Sequence, residues 1–188
     1  METSIRQLGY GQILFAALLV AMIRLRPDVY FGNDGISEYA LVPSTGPFFI
    51  AAFLSAALFM WIAADCLRSS LLGKVVRPVF RLSSLLTAGL VVFPAIGNGV
   101  IDHIHIGCAV ALFTVESLLV LWLVLRTGAN AVNVTLLVIL IVAALVNLLT
   151  LLNILHCKTQ AEVVFQLVFN LLLLRLLRIS CAKRASET

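Results

Sequence analysis

Charge is scarce in this chain. Thirteen Lys and Arg and nine Asp and Glu are spread over 188 residues, so only 12% are charged, where a soluble domain carries about a quarter. A surface wetted on all sides is therefore excluded, and with it a soluble nucleotide-binding enzyme, a disordered tail and a nucleic-acid partner. Recognised catalytic signatures are missing too. There is no G-x-S-x-G elbow, no phosphate-binding G-x-x-x-x-G-K run, no CxxC pair and no lipid-attachment signal. Histidines number three and prolines five, and no heptad, low-complexity tract or shared motif between halves is visible. What fills the chain instead is apolar: 62% hydrophobic residues and a mean hydropathy of +1.10.

A helix rises 1.5 Å per residue, so roughly 20 apolar residues cross a hydrocarbon core about 30 Å thick. Six stretches reach or approach that length: about Gly9–Ile23, Pro47–Leu67, Leu82–Ile96, Ile104–Leu125, Val132–Leu155 and Val163–Ile179. The expected fold is all-α, one polytopic membrane domain over residues 1–188 with six transmembrane helices. The first run is not read as a signal peptide, because Met22-Ile23-Arg24-Leu25-Arg26 offers no small-x-small cleavage site. Pro94, Gly97 and Gly99 make the end of the third run irregular.

Basic residues resist translocation, and their placement sets orientation. With the N-terminus inside, ten of the thirteen fall on the cytoplasmic side and only Arg24, Arg26 and Lys158 fall outside. Both termini are expected in the cytoplasm of a prokaryotic cell. The longest connection, Leu25 to Gly46, then forms an outer loop whose Pro27, Gly32, Asn33-Asp34-Gly35 and Pro43 read as successive turns.

This topology gathers the titratable residues at the outer face. His103, His105 and His156 all land there, with Asp102 beside the first two, Glu162 near the third, and Asp34 and Glu38 in the outer loop. Such a set could bind a divalent metal, relay protons or hold a polar headgroup. The structural alternative is that histidines at helix ends sit in the wet interface and that Asp102 only caps a helix. Haem is not expected, since a two-haem carrier needs axial histidine pairs at two depths. Cys108 and Cys157 fall near the same face, where a disulfide is conceivable.

Glu116 needs a separate account. Eleven residues after His105, it returns to within roughly 20° of the same helix face. An acid at the bilayer centre costs on the order of 2.5–3.5 kcal/mol, so it should face the bundle interior or a cavity. Asn147, Thr150 or Asn170 would serve as a hydrogen-bonding partner, and Gln166 with Asn170 forms a polar edge at i, i+4 spacing.

Gly35-Ile36-Ser37-Glu38-Tyr39 before the second span, and Val92-Phe93-Pro94 followed by Asp102 and His105, resemble a six-span prokaryotic membrane family catalogued as domain of unknown function nine-nine-eight. This chain has Glu38-Tyr39 where that family has a pattern closer to Asp-Leu-Gly. The resemblance implies the six-span topology over nearly the whole chain and no particular activity.

Three functions fit these residues. The first is a non-catalytic bundle that binds a lipid or amphiphile, or joins a larger membrane assembly, with Asp34, Glu38, Asp102, His105 and Glu116 as ligand-binding candidates. The second is a metal-dependent membrane hydrolase using His103, His105 and His156 as ligands and Asp102 or Glu38 as base or further ligand. The third is a proton-coupled transporter or channel using Glu116. Membrane lipid and other membrane subunits are the partners expected. The topology carries the first test: reporter fusions at Thr188 and beside Gly35 should report opposite compartments, and a shared compartment would refute it.

Overall fold

The computed structural model describes residues 2–32, 35–67, 73–94, 96 and 99–185. Seven α-helices and one 3-10 turn account for most of them, with no strand among the described residues. The long helices are α1 (Glu2–Leu25), α3 (Gly46–Cys66), α4 (Gly73–Val92), α5 (Gly99–Thr127), α6 (Ala131–Leu151) and α7 (Lys158–Ala185). The short α2 (Pro27–Phe31) and the 3-10 turn Ile36–Ala40 lie between α1 and α3. All six long helices are long and apolar enough to span a membrane.

Most helices outrun the apolar stretches that announce them. α1 begins at Glu2 rather than Gly9, α5 at Gly99 rather than Ile104, and α7 covers Lys158–Ala185 rather than Val163–Ile179. Hydrophobic runs mark contact with hydrocarbon, whereas backbone hydrogen bonding continues through the interface into polar sequence. α4 differs most, running from Gly73 to Val92 instead of Leu82 to Ile96. Its end is set at Pro94, which has no N–H to continue the ladder, after Phe93 N–H closes on Gly89 O at 2.9 Å. α6 stops at Leu151, four residues before the expected Leu155. Asn153 takes a left-handed φ of +58°, and Ile154 N–H reaches back to Leu149 O at 2.9 Å, a Schellman closure.

One end of the bundle carries Glu2 and Ala185, and the other carries residues 27–32, 35–45, 93, 94, 96 and 152–157, here the loop end. Near the terminal end Asp65 of α3 accepts a hydrogen bond from Arg81 of α4 at 2.7 Å, with Arg77 at 3.6 Å. Arg81 also lies over the Trp61 ring and Arg126 over Trp122, an arrangement of long cations and amphipathic aromatics suited to a membrane interface.

Two apolar clusters hold the helices together. One, at the terminal end, centres on Phe80, Leu123, Leu140, Phe165, Phe169 and Leu172, and the other, at the loop end, on Leu19, Met22, Tyr39, Phe49 and Ala52. α1 lies closest against α3, and Gly11 permits that approach: a Cβ there would stand 2.6 Å from Phe59 Cβ. Gly9, on the same helix, has nothing within 4 Å. Substituting the pair tests the packing with opposite signs. Gly11→Ala should destabilise by about 1–3 kcal/mol through overpacking, whereas Gly9→Ala should stabilise by up to about 1 kcal/mol through helix propensity. Denaturant unfolding in detergent reads both, and equal effects would refute the α1–α3 contact.

Candidate functional site

The segment between α1 and α3 folds as a cap and docks on the first turns of α7. Gly35 N–H donates to Thr159 Oγ1 at 3.1 Å, and the Thr159 hydroxyl donates to Val29 O at 3.3 Å. Ile36 N–H donates to Glu162 Oε2 at 2.7 Å. Gly35 sits at φ +92° and ψ 170°, a region open essentially to glycine alone. A Cβ there would also come within 3.0 Å of Glu162 Oε2 and Lys158 Cε. Tyr39 closes the cap from inside. It is fully buried, its hydroxyl donates to Arg26 O at 3.2 Å, and burial pushes its phenol up to about 12.

Docking of the cap completes a groove between α5 and α6. The groove has a volume of about 400 Å³, within the range of small-molecule sites. Ser37, His105, Lys158 and Glu162 border its loop end, and Ala109, Phe113, Ala144, Leu145 and Leu148 are among the apolar residues of its walls. α6 packs closely on α7 and only lightly on α5, which leaves the space between α5 and α6 open along the helices.

His105 is 7% exposed, and its Nδ1 lies 2.8 Å from Phe93 O, the carbonyl left over where α4 stops. The ring therefore caps α4 through Nδ1 while bordering the groove. Asn147 is the other polar residue of interest. It is 8% exposed, lines the groove, and neither its amide nitrogen nor its amide oxygen has a hydrogen-bond partner. An amide buried in hydrocarbon without a partner costs about 1–3 kcal/mol, which a ligand carrying a donor or acceptor at that depth would offset.

The remaining expected site residues are placed elsewhere. Asp102 accepts from Ile96 N–H at 3.0 Å, His103 bonds through Nδ1 to Gly99 O in its own helix, Glu38 is half-buried on the 3-10 turn, and His156 is exposed. None of these four lines the groove. Asp34 lies outside the described residues. Among the described residues no three His, Cys, Asp or Glu side chains come together as a metal set, so His103, His105 and His156 do not form one. The outer loop docks on α7, because α7 supplies the acceptors for its turn N–H groups. Cys108 and Cys157 are free thiols, not a disulfide.

Glu116 is 2% exposed and accepts a hydrogen bond from Gln166 Nε2 at 3.2 Å, rather than from Asn147, Thr150 or Asn170. Lys158, Glu162, Gln166 and Asn170 recur every four residues on α7 and so share a face. That period extends the Gln166–Asn170 edge to the loop end through Glu162, and it is the signal by which Lys158 could have been found. Gln12 of α1, which lines a cavity beside Glu116, had no such signal.

No protein-family model, curated protein or solved structure matches the chain, so the reading of function rests on this geometry. The cap contact gives a direct check. Gly35→Ala should loosen residues 27–45 at a cost of about 1–3 kcal/mol, seen as at least tenfold faster proteolysis within that segment. Wild-type cleavage rates in the variant would refute the docking.

Proposed function

We propose that the protein binds a lipid-like amphiphile in the α5–α6 groove and has no catalysis of its own. The observation that carries the reading is the distribution of polar groups in the groove: Ser37, His105, Lys158 and Glu162 together at the loop end, and mostly apolar walls beyond, interrupted by Thr114, Ser117 and Asn147. An amphiphile matches both parts at once, with its headgroup among side chains that offer donors and an acceptor and its chain along hydrocarbon-like walls. A soluble ligand would gain little from the walls, and a plain hydrocarbon would leave the polar end unmatched. The unpartnered Asn147 amide favours a ligand with an ester, amide or hydroxyl below its headgroup.

The hydrolase reading has less support, since among the described residues its three histidines do not come together as a metal set. The ten-to-three division of Lys and Arg supports a bundle whose termini face the cytoplasm, and the Arg77, Arg81 and Arg126 belt at the terminal end agrees with that orientation. The groove mouth then lies at the outer leaflet.

Extraction of purified protein followed by lipid mass spectrometry tests the proposal. Wild type should retain an amphiphile at up to one per chain through delipidating detergent washes. Ala144→Phe, which fills the groove wall, should reduce the retained amount at least tenfold while leaving the helical content unchanged. Retention that is absent in wild type, or unaltered in the variant, would overturn it.

A further inference from the structure

A second cavity lies at mid-bundle, apart from the groove. Its polar lining comes from four helices: Gln12 of α1, Thr87 of α4, Glu116 of α5, and Gln166 and Asn170 of α7. The volume is about 30 Å³, room for one or two water-sized particles. Apolar side chains, Phe15, Phe53 and Leu112 among them, complete the walls.

The hydrogen-bonding inventory of this chamber is unbalanced. Gln166 Nε2 donates to Glu116, which leaves the Gln166 carbonyl oxygen as an acceptor. The Thr87 hydroxyl donates to Ser83 O at 2.8 Å within its own helix, so toward the chamber it offers lone pairs. Both amide atoms of Gln12 are buried and have no partner. The carboxylate itself has further lone pairs, and among the described residues the ion pairs involve Asp28 and Asp65, not Glu116. Oxygen acceptors from four side chains thus converge on a small space holding one acidic group and no basic one.

We infer that this chamber is a binding site for a monovalent, oxygen-coordinated cation of the sodium class, held between the Glu116 carboxylate and the side-chain oxygens of Gln12, Thr87 and Gln166. Charge decides the valence. One carboxylate is neutralised by one positive charge, whereas a calcium or magnesium ion would leave an excess charge in the hydrocarbon region and is ordinarily held by more carboxylates. Size and polarity decide the occupant. A water molecule beside the carboxylate would serve Gln12 but supply no counter-charge, and a protonated Glu116 with one water is the competing occupant, which the sodium titration below tells apart. A small cation supplies the counter-charge to the carboxylate and takes the Gln12 amide oxygen as a ligand.

The experiment is a sodium titration of the purified full-length protein in detergent, at fixed pH and ionic strength, with N-methylglucamine as the replacing cation and thermal unfolding as the readout. Wild type should show a saturable rise in Tm with sodium. Glu116→Gln should abolish that rise, and Gln12→Leu should weaken the apparent affinity at least tenfold. Ala144→Phe, whose effect is confined to the groove, should keep the full response, which separates this site from amphiphile binding. A wild-type Tm indifferent to sodium would overturn the proposal, as would a sodium response that survives in Glu116→Gln. A Tm that follows pH through Glu116 without any sodium response would mean a proton site only and would equally overturn it. Should either variant fail to fold, radioactive sodium bound to wild type decides alone: one ion per chain is expected, and none refutes the site.

Discussion

A polar side chain inside hydrocarbon has no water to turn to, so its place in the bundle is set by the polar group it can reach. That constraint fixes α7. Thr159 joins Gly35 and Val29, Glu162 holds Ile36 N–H, Gln166 holds Glu116, and Arg175 donates to Asn133 Oδ1 at 2.8 Å. Four residues on one helix thereby fasten the cap, α5 and α6. Apolar packing alone would not set this register, because lipid tails contact leucine about as well as another helix does.

The groove follows from where those ties are absent. α6 is joined to α7 by Asn133 at one end and by buried Leu140 and Ala143 along its length, but it packs only lightly on α5. Only 22% of its span is buried, against 39% for α7, so most of its surface faces lipid or the groove. The cap then closes the loop end, and Gly35 lets the chain pass close to Glu162 and Lys158 with no side chain in the way. A polar mouth and an apolar slot thus arise from one docking event and one missing helix contact.

Six helices were legible in the sequence because hydrocarbon thickness turns hydropathy into a count. Their ends were not, since α4 obeys Pro94 and α6 obeys Asn153 rather than the last apolar residue. Face arithmetic placed His105 and Glu116 on one stripe, and both are buried. Their partners were out of reach: Phe93 O and Gln166 come from α4 and α7, and no local pattern reports which helices adjoin. The histidine cluster fails for a related reason. His103 sits two residues before His105, which turns it to another face of α5 and leaves it exposed, bonded to its own helix. Proximity in sequence at a helix end does not make a shared site.

The two cavities lie apart along one face of α7. Glu162 borders the groove, Gln166 borders the Glu116 chamber, and a space of about 40 Å³ lined by His105, Glu162 and Gln166 lies between them. Sliding α7 would break the five bonds at Thr159, Glu162, Gln166 and Arg175 together, and at about 1 kcal/mol net for each that costs about 5 kcal/mol before any packing is lost. Moving α6 away from α5 breaks far less, because little packing joins those two helices. Entry to the groove is therefore cheapest from the lipid side through α6, with α7 and the Glu116 chamber held in place.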